Sequence, residues 1–129
     1  MSNVTATTAR INYATEVRAG RHSVMFDEPV GSGGQDVGPS PTELLVGALA
    51  ACTSITLRMY AQRKGWDVGT VQVTATPTRA ADKSLSIDRV LSFEGQLSEE
   101  QRGRLAEIAE RTPVTLALKA GVTIHTRLA

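Results

Sequence analysis

Ser40-Pro41-Thr42-Glu43-Leu44-Leu45-Val46-Gly47-Ala48-Leu49-Ala50-Ala51-Cys52 is the stretch from which the rest of this chain can be read. Ser40 with Glu43 three positions on forms a capping box, in which each side chain accepts from the other residue's backbone N–H. Pro41 takes the first helical position, where its missing N–H costs nothing. The pattern predicts a helix from there to about Lys64, stopped at Gly65. The first half is apolar on every side, which predicts burial all round. Gly47, Ala48, Ala50 and Ala51 are small enough to let another backbone approach, for instance a second copy of the same helix. The second half, with Arg58, Gln62, Arg63 and Lys64, is more polar.

Upstream, apolar alternation from Ala6 to Tyr13 (Ala9, Ile11 and Tyr13 on one face) predicts a strand. Glu16-Val17-Arg18 leads to a turn at Ala19-Gly20-Arg21, and His22–Phe26 returns as a strand. Asp27 to Gly38 reads as a solvated loop rich in glycine and acidic residues. Downstream, Asp67–Thr76 and Ser84–Leu97 alternate as two strands, joined by a hairpin connection at Pro77–Lys83. In the second of them Leu85, Ile87, Leu91 and Phe93 share a face that Arg89 interrupts. Arg89 therefore lies at an edge or points into a pocket. Ser98 and Gln101 form a second capping box, before a helix with Leu105, Ile108 and Ala109 inside. Thr112-Pro113 ends that helix and caps a short one, Val114–Lys119, closed by Gly121. Val122, Ile124 and Leu128 mark a last strand. The order βββ-α-ββ-α-α-β predicts an α+β fold with a mainly antiparallel sheet, as one domain over residues 1–129.

Composition removes several functions. The 129 residues carry a net charge of +1, and 4% are aromatic, which gives neither a basic surface nor stacking platforms for nucleic acid. The apolar run Leu44–Cys52 is nine residues, against about 20 for a membrane span, so no membrane partner is expected. The N-terminus lacks the basic-then-apolar layout of a signal peptide. A lone cysteine cannot form an internal disulfide, which fits the cytoplasm. The Gly31–Gly38 loop has no Gly-Lys-Ser/Thr ending, and His22 and His125 have no second ligand at metal spacing. Neither a nucleotide, a metal nor any other cofactor is expected.

Asp27-Glu28-Pro29, Gly33-Gly34, Gly38-Pro39-Ser40-Pro41-Thr42-Glu43-Leu44-Leu45 and Ala48-Leu49-Ala50-Ala51-Cys52-Thr53 together resemble the OsmC/Ohr family, in its OsmC-like branch. Arg111-Thr112-Pro113-Val114 with Gly121-Val122-Thr123-Ile124 is similar to that family's C-terminal Cys-Pro-Val … Gly-Val signature. The resemblance covers nearly the whole chain. It implies an intertwined homodimer with two long central helices wrapped by antiparallel sheets, and sites that draw on both chains. It also implies thiol-dependent reduction of organic hydroperoxides. Cys52 would be the attacking cysteine, and Thr112 stands at the position of the second, resolving cysteine. An internal disulfide cycle is then closed to this chain: either an external thiol resolves the sulfenic acid, or the chain does not turn over peroxide.

The attacking species is a thiolate, and an ordinary cysteine has a pKa of about 8.5. Cys52 lies eleven residues past Pro41, about 16 Å along the axis, beyond the reach of the helix dipole. A cation must come from elsewhere. In the family it is an arginine of the N-terminal hairpin; Arg18 and Arg21 are the candidates here, Arg18 preferred. Glu43 would orient that arginine, although nine residues on a helix put it half a turn away from Cys52 of its own chain. Phe26, Leu45, Leu49 and Met59 would line an apolar pocket at the dimer interface. The alternative is a non-catalytic protein of the same fold that binds a small apolar or thiol-reactive ligand there.

Overall fold

The structure is a computed structural model and describes residues 3–129. By its internal contacts the chain divides into two compact units, Met1–Leu45 and Val46–Ala129.

The first unit is an antiparallel meander of β1 (Val4–Thr8), β2 (Thr15–Ala19) and β3 (His22–Phe26). β1 stops at Thr8 rather than running on to Tyr13, because the chain must reverse for Thr8 to face Thr15. The reversal is held by polar groups: the Thr8 and Thr15 hydroxyls lie 2.8 Å apart, and Thr15 Oγ1 donates to the Tyr13 carbonyl. The β2–β3 turn uses Gly20 at φ 59°, a conformation that costs any other residue about 1–2 kcal/mol.

The segment after β3 is largely exposed, as its composition suggested, but one of its acids is not solvated. Asp27 is buried and is the hub of the loop. Its Oδ1 accepts from the Tyr13 and Glu28 N–H groups and its Oδ2 from those of Gln35 and Val37. The backbone wraps so closely that a Cβ on Gly34 would sit 2.0 Å from the Glu28 carbonyl oxygen. One on Gly38 would sit 2.3 Å from that of Met25. The glycines allow this close backbone approach; the loop is built around a carboxylate.

α1 (Pro41–Lys64) begins with the expected box, Ser40 N–H to Glu43 Oε1 at 3.0 Å and Glu43 N–H to Ser40 Oγ at 3.2 Å. It ends at Gly65, φ 72°. Taken whole, α1 is long and apolar enough to cross a bilayer by length and composition, which the nine-residue run understated. The run stops at Cys52, but Ile55, Leu57, Met59 and Ala61 carry the hydropathy further. From Val46 onward the helix packs one side inside the second unit. Its buried stripe is Val46, Leu49, Thr53, Leu57 and Ala61.

The second unit adds a two-stranded antiparallel sheet, β4 (Val71–Arg79) and β5 (Leu85–Phe93), then α2 (Glu99–Ala109) and α3 (Pro113–Ala120). β4 runs through Pro77, which faces Ile87, so the connection is shorter than Pro77–Lys83. A strand with only one neighbour tolerates proline, because one edge needs no N–H donors. Leu57, Ala61, Val68, Leu105 and Ala109 form the core, with Tyr60, Trp66, Leu91, Phe93 and Ile108 packed around it. Ser98 and Gln101 make the second capping box, and Thr112 caps α3 ahead of Pro113.

The order βββ-α-ββ-α-α holds from β1 to α3. The last expected strand does not form: residues 121–129 have no strand partner, and Leu128 is 97% exposed. α1 is also not buried all round. Leu45, Ile55 and Met59 face outward, because a single chain supplies packing partners to one side of the helix only.

Candidate functional site

Arg89 organises the second unit. Alternation on β5 places it among Leu85, Ile87, Leu91 and Phe93, so its side chain enters the interior and is only 12% exposed. A buried guanidinium needs its N–H groups satisfied. Nη1 donates to Thr53 Oγ1 and Thr115 Oγ1, both at 2.9 Å. Nη2 donates to the Ala109 carbonyl at 3.0 Å and to Glu110 Oε2 at 2.8 Å. One side chain of β5 thereby ties together α1, the C-terminal end of α2 and the first turn of α3. The Ala109 carbonyl is one of the groups a helix C-terminus leaves unpaired, and a cation there also suits the helix dipole.

The acceptors are themselves fixed. Thr53 Oγ1 donates to the Leu49 carbonyl at 2.7 Å. Thr115 Oγ1 donates to the Ala109 carbonyl and lies 2.6 Å from Thr112 Oγ1. Thr112, fully buried, is thus both the α3 cap and the far end of a hydrogen-bonded chain reaching Thr53, the neighbour of Cys52. Glu110 bridges Arg89 and Lys119, whose Nζ lies 2.7 Å from Oε1. The Lys119 hydrogen bond first, and Arg89 with it, hold the Glu110 carboxyl below its ordinary range. Beside this cluster lies a cavity of about 380 Å³ walled by Leu49, Leu85, Ile87 and Leu118, with Arg89, Glu110, Thr115 and Lys119 on its polar side.

Cys52 is half-buried on the shoulder of α1. Leu45, Ala48, Cys52, Ile55 and Met59 follow at spacings of three and four, so the thiol lies along an apolar stripe distinct from the buried one. Among the described residues, no hydrogen bond involves its sulfur, and the Nη1 and Nη2 groups of Arg89 go to the partners above.

The other expected site residues belong to the first unit. Arg18 is on β2, 3.6 Å from Glu16 and 59% exposed. Arg21 is exposed in the β2–β3 turn. Glu43 makes its capping box, and the Ser40 N–H and hydroxyl hold its carboxyl below 4.5. Burial works against ionisation of Asp27, but its four backbone donors outweigh that and keep it below 3.8. Of the expected pocket residues, Leu49 walls the second-unit cavity, and Phe26 lines a separate cleft of about 480 Å³ with Val17 and Tyr13 in the first unit. Leu45 and Met59 are exposed, fourteen residues apart on α1, about 21 Å along its axis.

The sequence marked Arg89 as an anomaly but not as a centre. The available signal was one arginine on an apolar strand face together with hydroxyls at otherwise apolar helix positions: Thr53, Thr112 and Thr115.

A family model described as OsmC-like protein matches residues 32–127. No curated protein matches the chain. Among solved structures, the chain is similar to an OsmC-like protein from Mycoplasma pneumoniae, with TM-score 0.80 and 19% identity, over 92% of this chain and 87% of that one. It is similar to an organic hydroperoxide resistance protein OsmC from Legionella pneumophila, with TM-score 0.67 and 20% identity, over 92% and 89%. It is also similar to the organic hydroperoxide resistance protein OhrB of Bacillus subtilis, with TM-score 0.63 and 20% identity, over 92% and 90%. At these identities the likeness is one of fold.

Proposed function

The chain belongs to the OsmC-like protein family, and from that premise we propose that it reduces organic hydroperoxides with a single thiol, Cys52, in oxidative stress defence. The observation that carries this reading is the setting of Cys52. It is half-buried rather than sealed, on a helix face whose apolar neighbours Leu45, Ile55 and Met59 stay about half exposed among the described residues. Two such faces packed as a homodimer would enclose an apolar seam at the sulfur, suited to an alkyl peroxide. The names of the Legionella and Bacillus relatives support the substrate class.

The steps follow thiol chemistry. The Cys52 thiolate attacks the terminal peroxide oxygen, the O–O bond breaks, and the alkoxide leaves and takes a proton to become the alcohol. Cys52 is then a sulfenic acid. Thr112 occupies the place of a resolving cysteine and its hydroxyl cannot condense with that group. An external thiol forms a mixed disulfide and releases water, and a second thiol returns Cys52 to its reduced state as an external disulfide. Arg18 or Arg21 would stabilise the thiolate, and Glu43, whose carboxylate form the cap favours further, would orient the guanidinium.

Steady-state consumption of cumene hydroperoxide with dithiothreitol tests the reading. Turnover is expected to depend on the external thiol and to vanish in Cys52→Ser. Equal turnover in that variant overturns it. One observation favours a second reading, ligand binding without turnover: the cavity walled by Leu49 does not include Cys52.

A further inference from the structure

We propose that the second-unit cavity binds an amphipathic carboxylate, a small molecule with one carboxylate head and an apolar tail of several methylenes, and that Glu110 holds the place which the ligand's head takes. The cavity, about 380 Å³, is of the size that small-molecule sites use. Leu49, Leu85, Ile87 and Leu118 supply its apolar lining, and two cations belong to the same lining. These cations come from different elements, Arg89 from β5 and Lys119 from α3, and they converge on one carboxylate. Glu110 gives one oxygen to each, at 2.8 and 2.7 Å. That is a carboxylate-recognition geometry, whichever molecule supplies the carboxylate.

Glu110 is poorly anchored as the occupant. Its side chain is 58% exposed and follows the end of α2, and its pair with Lys119, itself 59% exposed, is of the weakly held surface kind. It can swing into water while a ligand head replaces it. The exchange trades one negative charge for another, so no new charge is buried. Arg89 keeps its bonds to Thr53, Thr115 and Ala109 throughout, so the cation is positioned in advance. The tail then lies along the four aliphatic side chains, where each buried methylene raises affinity about fourfold. No covalent bond forms, and nothing here rests on the chemistry of Cys52.

Calorimetric titration of the full chain with hexanoate, octanoate and 1-octanol tests this. Octanoate is expected to bind about fifteenfold more tightly than hexanoate and at least about tenfold more tightly than 1-octanol. Lys119→Met is expected to weaken octanoate about tenfold and leave 1-octanol unchanged. Glu110→Gln is expected to tighten octanoate severalfold by removing the competing charge. Both residues are exposed, and thermal melts of the variants check that each is folded. Equal affinity for octanoate and 1-octanol overturns the proposal. So does an octanoate affinity unchanged by Lys119→Met, or no binding by either the native chain or Glu110→Gln. Cumene hydroperoxide turnover measured on the same samples keeps this result separate from that of the thiol chemistry.

Discussion

Arg89 and Asp27 show how single charged residues shape this chain in opposite ways. Arg89 is an interior cation whose partners come from three helices and the turn after α2, and losing it strands Thr53, Thr115 and Ala109 together. Arg89→Met is expected to lower unfolding free energy by about 3 kcal/mol, read as a fall in the urea midpoint. Arg89→Lys is expected to recover less than half, since an ammonium cannot fork to four acceptors. Asp27 is a buried carboxylate satisfied by backbone alone. Its folded pKa lies below 3.8, so its stabilising contribution is complete above that value and is lost as pH falls through the folded pKa. Amide exchange at Gln35 and Val37 is therefore expected to accelerate relative to the second-unit core below about pH 3.8, and in Asp27→Asn at neutral pH. Protection unchanged by acid or by the substitution would contradict this role.

Among the elements, α1 has two apolar faces with different fates. Val46, Leu49, Thr53, Leu57 and Ala61 pack inside the second unit, while Ala48, Cys52, Ile55 and Met59 line the other face. If that second face joins two copies, Ile55→Glu is expected to raise the dimer dissociation constant by at least about a hundredfold, seen by light scattering as a shift to monomer. A particle mass unchanged by the substitution would contradict it. The helices were legible because their boundaries are written in local chemistry: Ser40 and Glu43, Ser98 and Gln101, Thr112 and Pro113, Gly65. The strand limits near Tyr13 and Pro77 were not, since alternation continues through residues that pairing leaves out or takes in. Val122, Ile124 and Leu128 have a strand's alternation, but a strand also needs a neighbour, which sequence period does not encode. The candidate site was half legible. Cys52, Glu43 and Thr112 stood out by motif, whereas Arg89, Glu110 and Lys119 meet only through tertiary packing across β5 and α3.

At the scale of the whole molecule, one sulfur sits within a family fold. The OsmC-like match over residues 32–127 and the shared architecture set the frame, and Cys52 lies on an apolar, part-exposed helix face that the proposed homodimer would cover. The reading requires that sulfur to meet a peroxide faster than free thiols do. The direct test is intact-mass spectrometry of the reduced protein mixed with one equivalent of cumene hydroperoxide, with dimedone present and no other thiol. The account predicts one dimedone adduct per chain, located at Cys52, formed well ahead of a free cysteine control. An unmodified chain with the peroxide unspent would contradict it.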